Sequence, residues 1–424
     1  MSKSLFPTGP IGNLIAFQTG GGTPSRQNPA YWTGPIPWAS VKDFDEDKIE
    51  LLETDEQISQ QGLNNSATNL IPANTPVVCT RMAVGRVAIA PMDIAINQDL
   101  KALFPSRSTD TRYLLRLADY AKAKADAVSV GSTVKGIKVA DYLNIEVPLA
   151  PPEHQSKIVE ILDTLDATIR ETEAVVAKLK AMKRGLLHDL LTRGIDANGN
   201  LRPPQSKAPH LYKQTPLGWL PKEWEAVLLG DQLIGGPRNG YSPQDAGRET
   251  GVKMLGLGCL TEDGFEPHQL KNAPESVVLH PARLEHGDLL ISRSNTMAMV
   301  GRVGRYRDVG APCIYPDLIM RLVPCMKYQP DFLELLLQSE RTRRQIQNVA
   351  VGTSGTMVKI NSKTVRALLI PLIGKDEQER ILDGLSSITT KLALESAELE
   401  KLRLQKSGLM DDLLTGRMSV TPQL

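Results

Sequence analysis

The chain has 424 residues, which is too long for one ordinary domain and fits two domains of about 150 residues with connecting elements. Hydrophobic residues make up 41% and charged residues 23%, and no apolar run approaches the ~18 residues that a membrane span needs, so the composition excludes a membrane protein. The formal net charge of +1 excludes nucleic-acid binding by charge alone, and a DNA-binding role would need groove contacts or a more basic partner.

The start of the chain and its cysteines predict where the protein works. The first ten residues, MSKSLFPTGP, contain no apolar stretch of signal-peptide length, which predicts a cytoplasmic protein. No two cysteines form a C-x-x-C pair, and the six histidines do not cluster with them. We therefore expect no metal site, no cofactor and four reduced cysteines, three of them in strand-like apolar runs: Cys79, Cys259, Cys313 and Cys325.

Residues 1–150 form the first predicted domain. Gly and Pro residues separate short β-type runs such as TPVVCT and GRVAIA, and one helical stretch, DTRYLLRLADYAKAKADAV, follows them. This mixture predicts an α+β fold, with a twisted sheet and few helices.

A long helix is predicted after the first domain, at 151–193. It opens with the helix-start signal PPE, and eight of ten positions counted from Ile158 in alternate steps of four and three are apolar. This heptad pattern is typical of a coiled coil. The segments that follow are a Gly- and Pro-rich linker at 194–216, a second α/β domain at 217–374 and a second long helix at 375–417.

The two halves of the chain are duplicated. At an offset of 223, Gln155 falls on Gln378, and the helix end HDLLTRG (188–194) falls on DDLLTGR (411–417). The second helix repeats the apolar seam from Ile381, so we predict that the two helices form an antiparallel coiled coil. Fainter matches precede the helices: VGRV at 84–87 and 300–303, INQDL at 96–100 and IYPDL at 314–318, and VGST at 130–133 and VGTS at 351–354.

Two lysines interrupt the apolar seams. Lys183 and Lys406 occupy the same seam position in the two helices. Two interpretations stay open: the lysines fix the register and orientation of the helix pair at a cost in stability, or they run along the helix and point into solvent.

Several groups of residues together resemble one known family. They are GGTPS at 21–25, NPAYW-x-G-x-IPW at 28–38, the helix starts PLAPPEHQSKI and PLIGKDEQERI, the LLT helix ends, and LGWLPKEW at 217–224. In order, spacing and duplication they resemble the specificity subunit of type I restriction-modification enzymes over the whole chain. The second domain departs from the pattern, because it begins GDQLIGGPRNGYSPQD and lacks GGTPS and the tryptophan motif. The two domains are therefore expected to read different half-sites.

The resemblance implies a function and a set of partners. It implies two target recognition domains, each reading one half of a split double-stranded DNA site, and a pair of spacer helices that sets the gap and docks two methyltransferase (modification) subunits. Methylation, ATP-driven translocation and cleavage would belong to those subunits and to restriction (motor-nuclease) subunits. The expected function is that of a sequence-specific DNA-binding subunit that is not an enzyme.

A stand-alone DNA adenine methyltransferase is the main alternative. NPAY at 28–31 approaches the N/D-P-P-Y/F/W tetrapeptide, but Ala30 stands where proline is expected. GLGC at 256–259 precedes a turn, so a Gly-rich loop that opens a helix is missing. A nuclease is disfavoured because Asp288 and Arg293 lie at one strand end and VKDFDEDK reads as a solvated acidic loop. A helical scaffold without a DNA role would not explain the two duplicated domains.

Candidate DNA-binding residues follow from the chemistry of base edges. Arg, Lys, Asn and Gln side chains on strand ends and loops match the donors and acceptors of the major groove. In the first domain the candidates are Arg26, Lys42, Arg81, Arg86 and Lys135, of which Arg81 and Arg86 flank the MAVG turn. In the second domain they are Arg238, Asn239, Arg293, Ser294, Asn295 and Arg302.

Overall fold

The computed structural model describes residues 5–131, 134–352 and 357–420. The chain divides into two units: the first comprises Met1–Ala174 and Glu395–Leu424, and the second comprises Val175–Leu394. Both divisions fall inside long helices, so each unit contains one globular part and a part of each helix. Residues 132–133 of the VGST match and 353–354 of the VGTS match lie outside the described residues.

The globular part of the first unit combines short strands with short helices. Its strands are β1 Thr8–Pro10, β2 Ile15–Gly20, β3 Ile36–Ala39, β4 Glu56–Ile58, β5 Asn69–Ile71, β6 Pro76–Cys79, β7 Val87–Ile89, β8 Ile94–Ile96, β9 Leu100–Pro105 and β10 Glu146–Pro148. Its helices are α1 Gln60–Asn64, α2 Thr111–Tyr120, α3 Lys122–Val128 and α4 Val139–Leu143, and the long helix α5 Pro152–Arg193 follows. Two four-stranded sheets have the orders β2-β9-β6-β7 and β4-β3-β8-β5, and β1 pairs with β10. Strands β6, β7 and β8 are buried along their whole length, which explains their continuous apolar runs.

The globular part of the second unit repeats this arrangement. Its strands are β11 Tyr212–Thr215, β12 Gly218–Pro221, β13 Glu225–Leu228, β14 Arg238–Asn239, β15 Lys253–Leu255, β16 Leu260–Thr261, β17 Gly264–Phe265, β18 Leu270–Asn272, β19 Leu289–Ser292, β20 Ser294–Asn295, β21 Val303–Arg305, β22 Cys313–Ile314, β23 Ile319–Leu322, β24 Val358–Lys359 and β25 Leu369–Leu372. Its helices are α6 Pro330–Gln338, α7 Glu340–Val349, α8 Ser362–Arg366 and the long helix α9 Lys375–Leu414. The sheet β14-β23-β19-β21 corresponds to β2-β9-β6-β7, and the parallel pair β15 and β22 corresponds to the parallel pair β3 and β8.

The two long helices have 42 and 40 residues and pair in antiparallel fashion, as predicted. In the first unit the start of α5 and the end of α9 share one core, with Ile158, Leu162, Leu413 and Leu414. In the second unit the end of α5 and the start of α9 share another, with Leu190, Leu191, Ile381 and Leu385. Every apolar position of the two predicted seams is buried or half-buried, and each fully buried Leu or Ile stabilises the pair by roughly 1.5–3 kcal/mol. No helix among the described residues is long and apolar enough to span a membrane.

The duplicated glutamines explain how each globular part is attached to its long helix. Gln155 is buried, and its Oε1 accepts a hydrogen bond of 2.8 Å from the backbone N–H of Asp110, the N-cap of α2. Gln378 is buried too, and its Oε1 accepts one of 3.0 Å from the N–H of Gln329, the N-cap of α6. The sequence match therefore reflects a shared structural role, which is to fix a short helix against a long one.

The two seam lysines have different surroundings. Lys406 bonds across the helix pair, with its Nζ 2.7 Å from the Asp166 carboxylate on α5, and does not point into solvent. At the offset of 223 the counterpart of Asp166 is Thr389, so α9 offers Lys183 no equivalent carboxylate. Burial raises the pKa of Glu334 on α6, and the charge of Lys183, after those of Arg305 and Arg307, lowers it in part. The polar seam positions are thus alike in sequence and unlike in bonding.

Candidate nucleic-acid interface

In the first unit, the GGTPS loop rests on residues 96–99, which link β8 to β9. The backbone N–H of Gly22 donates to the Ile96 carbonyl over 3.1 Å. The hydroxyl of Thr23 donates to Oε1 of Gln98 over 2.7 Å. The first glycine of the loop approaches so closely that an added Cβ would overlap the Ile96 carbonyl oxygen. A glycine at this point is therefore required by the close approach of two backbones.

In the second unit, the GYSP loop at 240–243 rests in the same way on residues 315–318, which link β22 to β23. The N–H of Tyr241 donates to the Tyr315 carbonyl over 2.9 Å. The hydroxyl of Ser242 donates to the Asp317 carboxylate, and the Asp317 N–H donates back to that hydroxyl oxygen over 3.1 Å. The GYSP loop is therefore the structural counterpart of the GGTP sequence in the first unit.

These bonds correct two expectations drawn from the sequence. The second domain lacks the letters GGTPS but keeps the loop, in the more general form G-x-Ser/Thr-Pro. The match of INQDL with IYPDL is one residue out of register. The carbonyl that accepts the loop N–H belongs to Ile96 in the first unit and to Tyr315 in the second. The side chain that accepts the loop hydroxyl belongs to Gln98 in the first unit and to Asp317 in the second. Hydrogen bonds, not letter identity, define the equivalent positions.

Replacing Gly240 with alanine tests this loop. An added Cβ would overlap the Tyr315 carbonyl oxygen, so we expect the free energy of unfolding to fall by about 1–3 kcal/mol, the usual effect of overpacking. Urea denaturation measures the change. Gly185→Ala on α5 is the control, because an added Cβ there meets no atom within 4 Å, and it should stabilise the helix by roughly 0.5–1 kcal/mol. Equal stability of Gly240→Ala and wild type would contradict the close packing of the loop.

Arg26 belongs to an ordered stack beside the GGTPS loop. Its guanidinium carbon lies 3.6 Å from the ring centroid of Trp32 and 5.4 Å from that of Trp38. A hydrogen bond from Arg26 lowers the pKa of Glu56, and the same bond raises the pKa of Arg26. The exposed Lys42 also helps to lower the pKa of Glu56 by its charge. The structure thus brings Arg26 and Lys42 to one carboxylate, with Arg26 held in place by the stack.

Arg81 and Lys135 come together on a second edge of the first unit. Arg81 forms a backbone bridge with Gly136, and the Met82 N–H donates to the Lys135 carbonyl over 2.8 Å. The Arg81 side chain is 59% exposed and lies 3.5 Å from Asp99, at the segment that supports the GGTPS loop. Arg81 is therefore an exposed cation beside that loop.

Arg86 lies apart from Arg81, although the sequence placed both at one turn. Its Nη1 donates to the Phe44 carbonyl over 2.9 Å, and its Nη2 lies 3.4 Å from Glu46. These bonds attach the acidic loop to the strands. The structure does not bring Arg86 into the cluster that faces the GGTPS loop.

Three candidates of the second unit lie next to the GYSP loop or bond to residues 315–318. Arg238 and Asn239 form β14 and are exposed, and the Tyr315 hydroxyl donates to the Arg238 carbonyl over 3.3 Å. The half-buried Arg293 donates from Nη1 to the Asp317 carbonyl over 3.3 Å. Two exposed polar side chains and one half-buried arginine therefore lie around the GYSP loop and its supporting segment.

The remaining candidates of the second unit are less accessible. Ser294, which we predicted to contact DNA, is 0% exposed, so its hydroxyl does not reach the surface in this structure. Asn295 is half-buried and accepts the Thr296 N–H over 2.8 Å. The Arg302 side chain is 15% exposed and lies 3.4 Å from Glu262. These three side chains flank the turn at 296–301 and are buried or half-buried, so they pack against the protein and do not project from it.

Sequence reasoning missed the side chains that fasten the loops. Thr23 and Ser242 were not recognised, although the shared spacing G-x-Ser/Thr-Pro was a usable signal. The buried Arg343 was missed too, and its Nη2 donates to the Ala298 carbonyl over 2.9 Å. Burial, together with the nearby positive charge of Arg302, lowers the pKa of Arg343 to about 10. No pattern in the sequence placed that arginine under the turn.

The residues behind the enzyme alternatives have structural partners. The Asn28 carboxamide oxygen accepts the Ala30 N–H over 3.2 Å and caps a short turn. Asp43 closes a capping box, and Asp288 lies 3.1 Å from Arg321. In the part of the chain that the structure describes, no group of three or more His, Cys, Asp or Glu side chains could hold a metal ion. These contacts leave the methyltransferase tetrapeptide and the acidic loop with ordinary structural roles.

The cysteines have no pairing role among the described residues. All four are free, three are buried, and Cys325 is half-buried. Burial raises the pKa of the Cys79 thiol to about 12, so it stays protonated at neutral pH.

The sequence and the fold of this chain are similar to those of known proteins. Residues 7–181 match the family model of the type I restriction modification DNA specificity domain. The type I restriction enzyme MjaVIII specificity subunit of Methanocaldococcus jannaschii is 23% identical over 347 residues, which are 79% of this chain and 77% of that relative. The EcoR124I/EcoR124II specificity subunit of Escherichia coli is 30% identical over 157 residues, 35% of this chain and 38% of that relative. The crystal structure of the type I S subunit from M. genitalium has the same fold, with a TM-score of 0.56 and 14% identity over 98% of this chain and 97% of that one.

The duplicated fold and these matches define a DNA specificity protein. More narrowly, residues 7–181 match the DNA specificity domain of type I restriction-modification systems, and the chain is similar over most of its length to a specificity subunit of such a system. The named relatives are specificity subunits of type I restriction enzymes, and no comparison supports the stand-alone methyltransferase alternative.

Proposed function

We propose that this chain reads a split double-stranded DNA target, with each unit contacting one half-site. One observation carries the proposal: both units build a G-x-Ser/Thr-Pro loop on an equivalent segment and surround it with different exposed polar side chains. A shared framework with different donors suits two readers of different sequences, because base identity is read through side-chain donors and acceptors.

The proposed reading residues fall into one group per unit. They are Arg26, Lys42, Arg81 and Lys135 in the first unit, and Arg238, Asn239 and Arg293 in the second. Arg86, Asn295 and Arg302 bind neighbouring protein groups, and we assign them to the support of the reading loops. Ser294 is left out of the reading set because it is buried.

The long helices have a separate proposed role. Residues 1–150 and 217–374 act as target recognition domains, 194–216 link them, and the helices at 151–193 and 375–417 set the gap between half-sites and dock two methyltransferase subunits. Restriction subunits complete the assembly. The net charge of +1 supports separate roles in the cytoplasm: the partners supply most of the phosphate contacts, and this chain determines which DNA sequence is bound.

Arg293→Ala tests the assignment of the second unit. A good contact with a base edge contributes about 1–3 kcal/mol of discrimination, so the complex with the methyltransferase should lose about tenfold or more in affinity for DNA with the correct second half-site. Discrimination at the first half-site should not change. Competition binding to duplexes altered in one half-site at a time measures both quantities.

Arg344→Ala is the matched control for charge. Arg344 lies in the same unit, its side chain is 72% exposed, and it pairs with Glu340 on its own helix. Its loss should weaken binding to all sequences by a similar small amount. If Arg293→Ala behaved like Arg344→Ala, Arg293 would be removed from the reading set.

A further inference from the structure

Tyr241 stands at the position of the second unit that Gly22 holds in the first. Each residue follows the close-packed glycine of its loop, and each donates the shared backbone hydrogen bond, Tyr241 to Tyr315 over 2.9 Å and Gly22 to Ile96 over 3.1 Å. The backbone at this position therefore makes the same hydrogen bond in both units. Only the side chain differs.

The first unit has no room for a side chain at this position. A Cβ added to Gly22 would lie 2.8 Å from both the carbonyl carbon and the Cβ of Ala67, which is closer than real Cβ contacts come. In the second unit the same position carries a phenol ring that is 44% exposed. Loop support cannot explain the ring, because the first unit builds the loop without one.

The Tyr241 ring is held in a defined place. It stacks on the ring of His280, with centroids 4.5 Å apart and planes inclined by 22°. Nδ1 of His280 accepts the Ala282 N–H over 3.0 Å, which places the ring proton of the neutral imidazole on Nε2. The Tyr241 hydroxyl has no hydrogen-bond partner within residues 5–131, 134–352 and 357–420. The stack thus presents a rigid aromatic ring with an unused hydroxyl.

We infer that Tyr241, stacked on His280, contacts the second half-site of the DNA and helps to make the two units read different sequences. The inference rests on the proposed function. Duplex DNA is the occupant because Arg238 and Asn239 form the strand just before the loop, Arg293 bonds to the segment below it, and all three are donors suited to bases and phosphates. The Asp317 carboxylate of that segment already accepts the Ser242 hydroxyl, and the Ser242 hydroxyl oxygen in turn accepts the Asp317 N–H. A fixed tyrosine loses little conformational freedom on binding, and its hydroxyl can donate or accept.

Three variants of the full chain, each made in cells with the methyltransferase partner, test the inference: Tyr241→Gly, Tyr241→Phe and His280→Ala. The probe is a plasmid library in which positions of both half-sites are varied, and the readout is the map of methylated sites. Tyr241→Gly introduces the residue of the first unit, and we expect about a tenfold loss of preference at one or more positions of the second half-site. Tyr241→Phe should lose part of that preference, and His280→Ala should alter the same positions. The first half-site should be read as in wild type by all three variants.

Phe17→Ala is the matched control. Phe17 is an exposed aromatic residue of the first unit, 58% exposed and stacked on Phe104, and it lies outside the G-x-Ser/Thr-Pro loop. Its replacement should leave both half-site preferences unchanged. The control separates loss of any exposed stacked ring from loss of this one.

The outcomes separate this inference from the function on which it rests. A split wild-type motif with an unchanged second half-site in Tyr241→Gly overturns the inference and leaves the proposed function standing. If Tyr241→Gly abolished methylation altogether, Tyr241→Phe would decide, and an unchanged second half-site in that variant would also overturn the inference. A wild-type protein that directs methylation to no split motif would overturn the proposed function itself.

Discussion

Glu377→Ala is expected to lower the free energy of unfolding of the second unit by about 3–5 kcal/mol, the usual effect of leaving one partner of a buried ion pair alone. Glu377 is buried, and its Oε1 lies 2.5 Å from Nη1 of Arg202, which is 9% exposed. Its carboxylate also accepts the Trp224 indole N–H over 3.0 Å and the Ile195 N–H over 2.9 Å. The variant would leave a guanidinium and two N–H groups without their acceptor.

The position of Glu377 explains why the effect should be large. It joins the first turn of α9 to three separate parts of the second unit: Ile195 just after α5, Arg202 in the linker, and Trp224 at the entry to the recognition domain. Urea unfolding, followed by tryptophan fluorescence and by circular dichroism, measures the loss. Glu223→Ala is the control, because the Glu223 side chain is 64% exposed and lies 3.8 Å from Arg202. Equal stability of the two variants would show that the buried carboxylate does not hold these segments together.

Asp166→Asn is expected to lower the free energy of unfolding of the first unit by about 3 kcal/mol, again because buried charges lose their partner. Asp166 is buried and lies 2.5 Å from Arg116, which is 1% exposed, and 2.7 Å from Lys406. Asparagine keeps the shape of the side chain and removes its charge. Denaturation of the full chain at neutral pH measures the difference.

The pH dependence of that difference has a definite sign. Burial alone would raise the pKa of Asp166, but the hydrogen bonds and charges of Lys406 and Arg116 outweigh it, and the pKa of the folded protein is lowered. An acid with a lowered pKa in the folded state contributes stability that is complete above its unfolded pKa, about 3.9, and is lost as the pH falls through the folded pKa. The gap between wild type and Asp166→Asn should therefore be constant near neutral pH and shrink below about pH 4. A gap that grew on acidification would contradict this assignment.

Thr389→Ala provides the internal control for Asp166. Thr389 is the counterpart of Asp166 at the offset of 223, lies on α9 and is exposed. Its replacement should change stability little. The contrast would show that the ionic network of Arg116, Asp166 and Lys406 belongs to one unit and breaks the symmetry of the duplicated helices.

The helices were predictable from the sequence because burial imposes a period on them. Positions such as Ile158 and Ile381 begin apolar seams whose members are buried or half-buried throughout, and the duplicated Gln155 and Gln378 have the same partners in both units. Local periodicity and repetition suffice for such elements. The ionic partners of Lys406 were not predictable, because they come from elements distant in the sequence.

The reading loops were only partly predictable, and the reason is physical. What both units preserve is a close backbone approach and a hydroxyl that bonds a side chain below it, and Thr23 with Gln98 satisfies this as well as Ser242 with Asp317. The geometry of the loop is therefore the same in both units although most of the residues that form it differ. The burial of Ser294 could not be predicted either, since a polar residue beside a turn need not face solvent.

The central claim is that two units of one chain read two separate half-sites. Mapping of methylated positions in DNA from cells that make this chain with its methyltransferase partner tests it most directly. We expect one motif with two specified half-sites separated by a gap of fixed length in which any base is accepted. One continuous motif, or methylation without sequence preference, would contradict the claim.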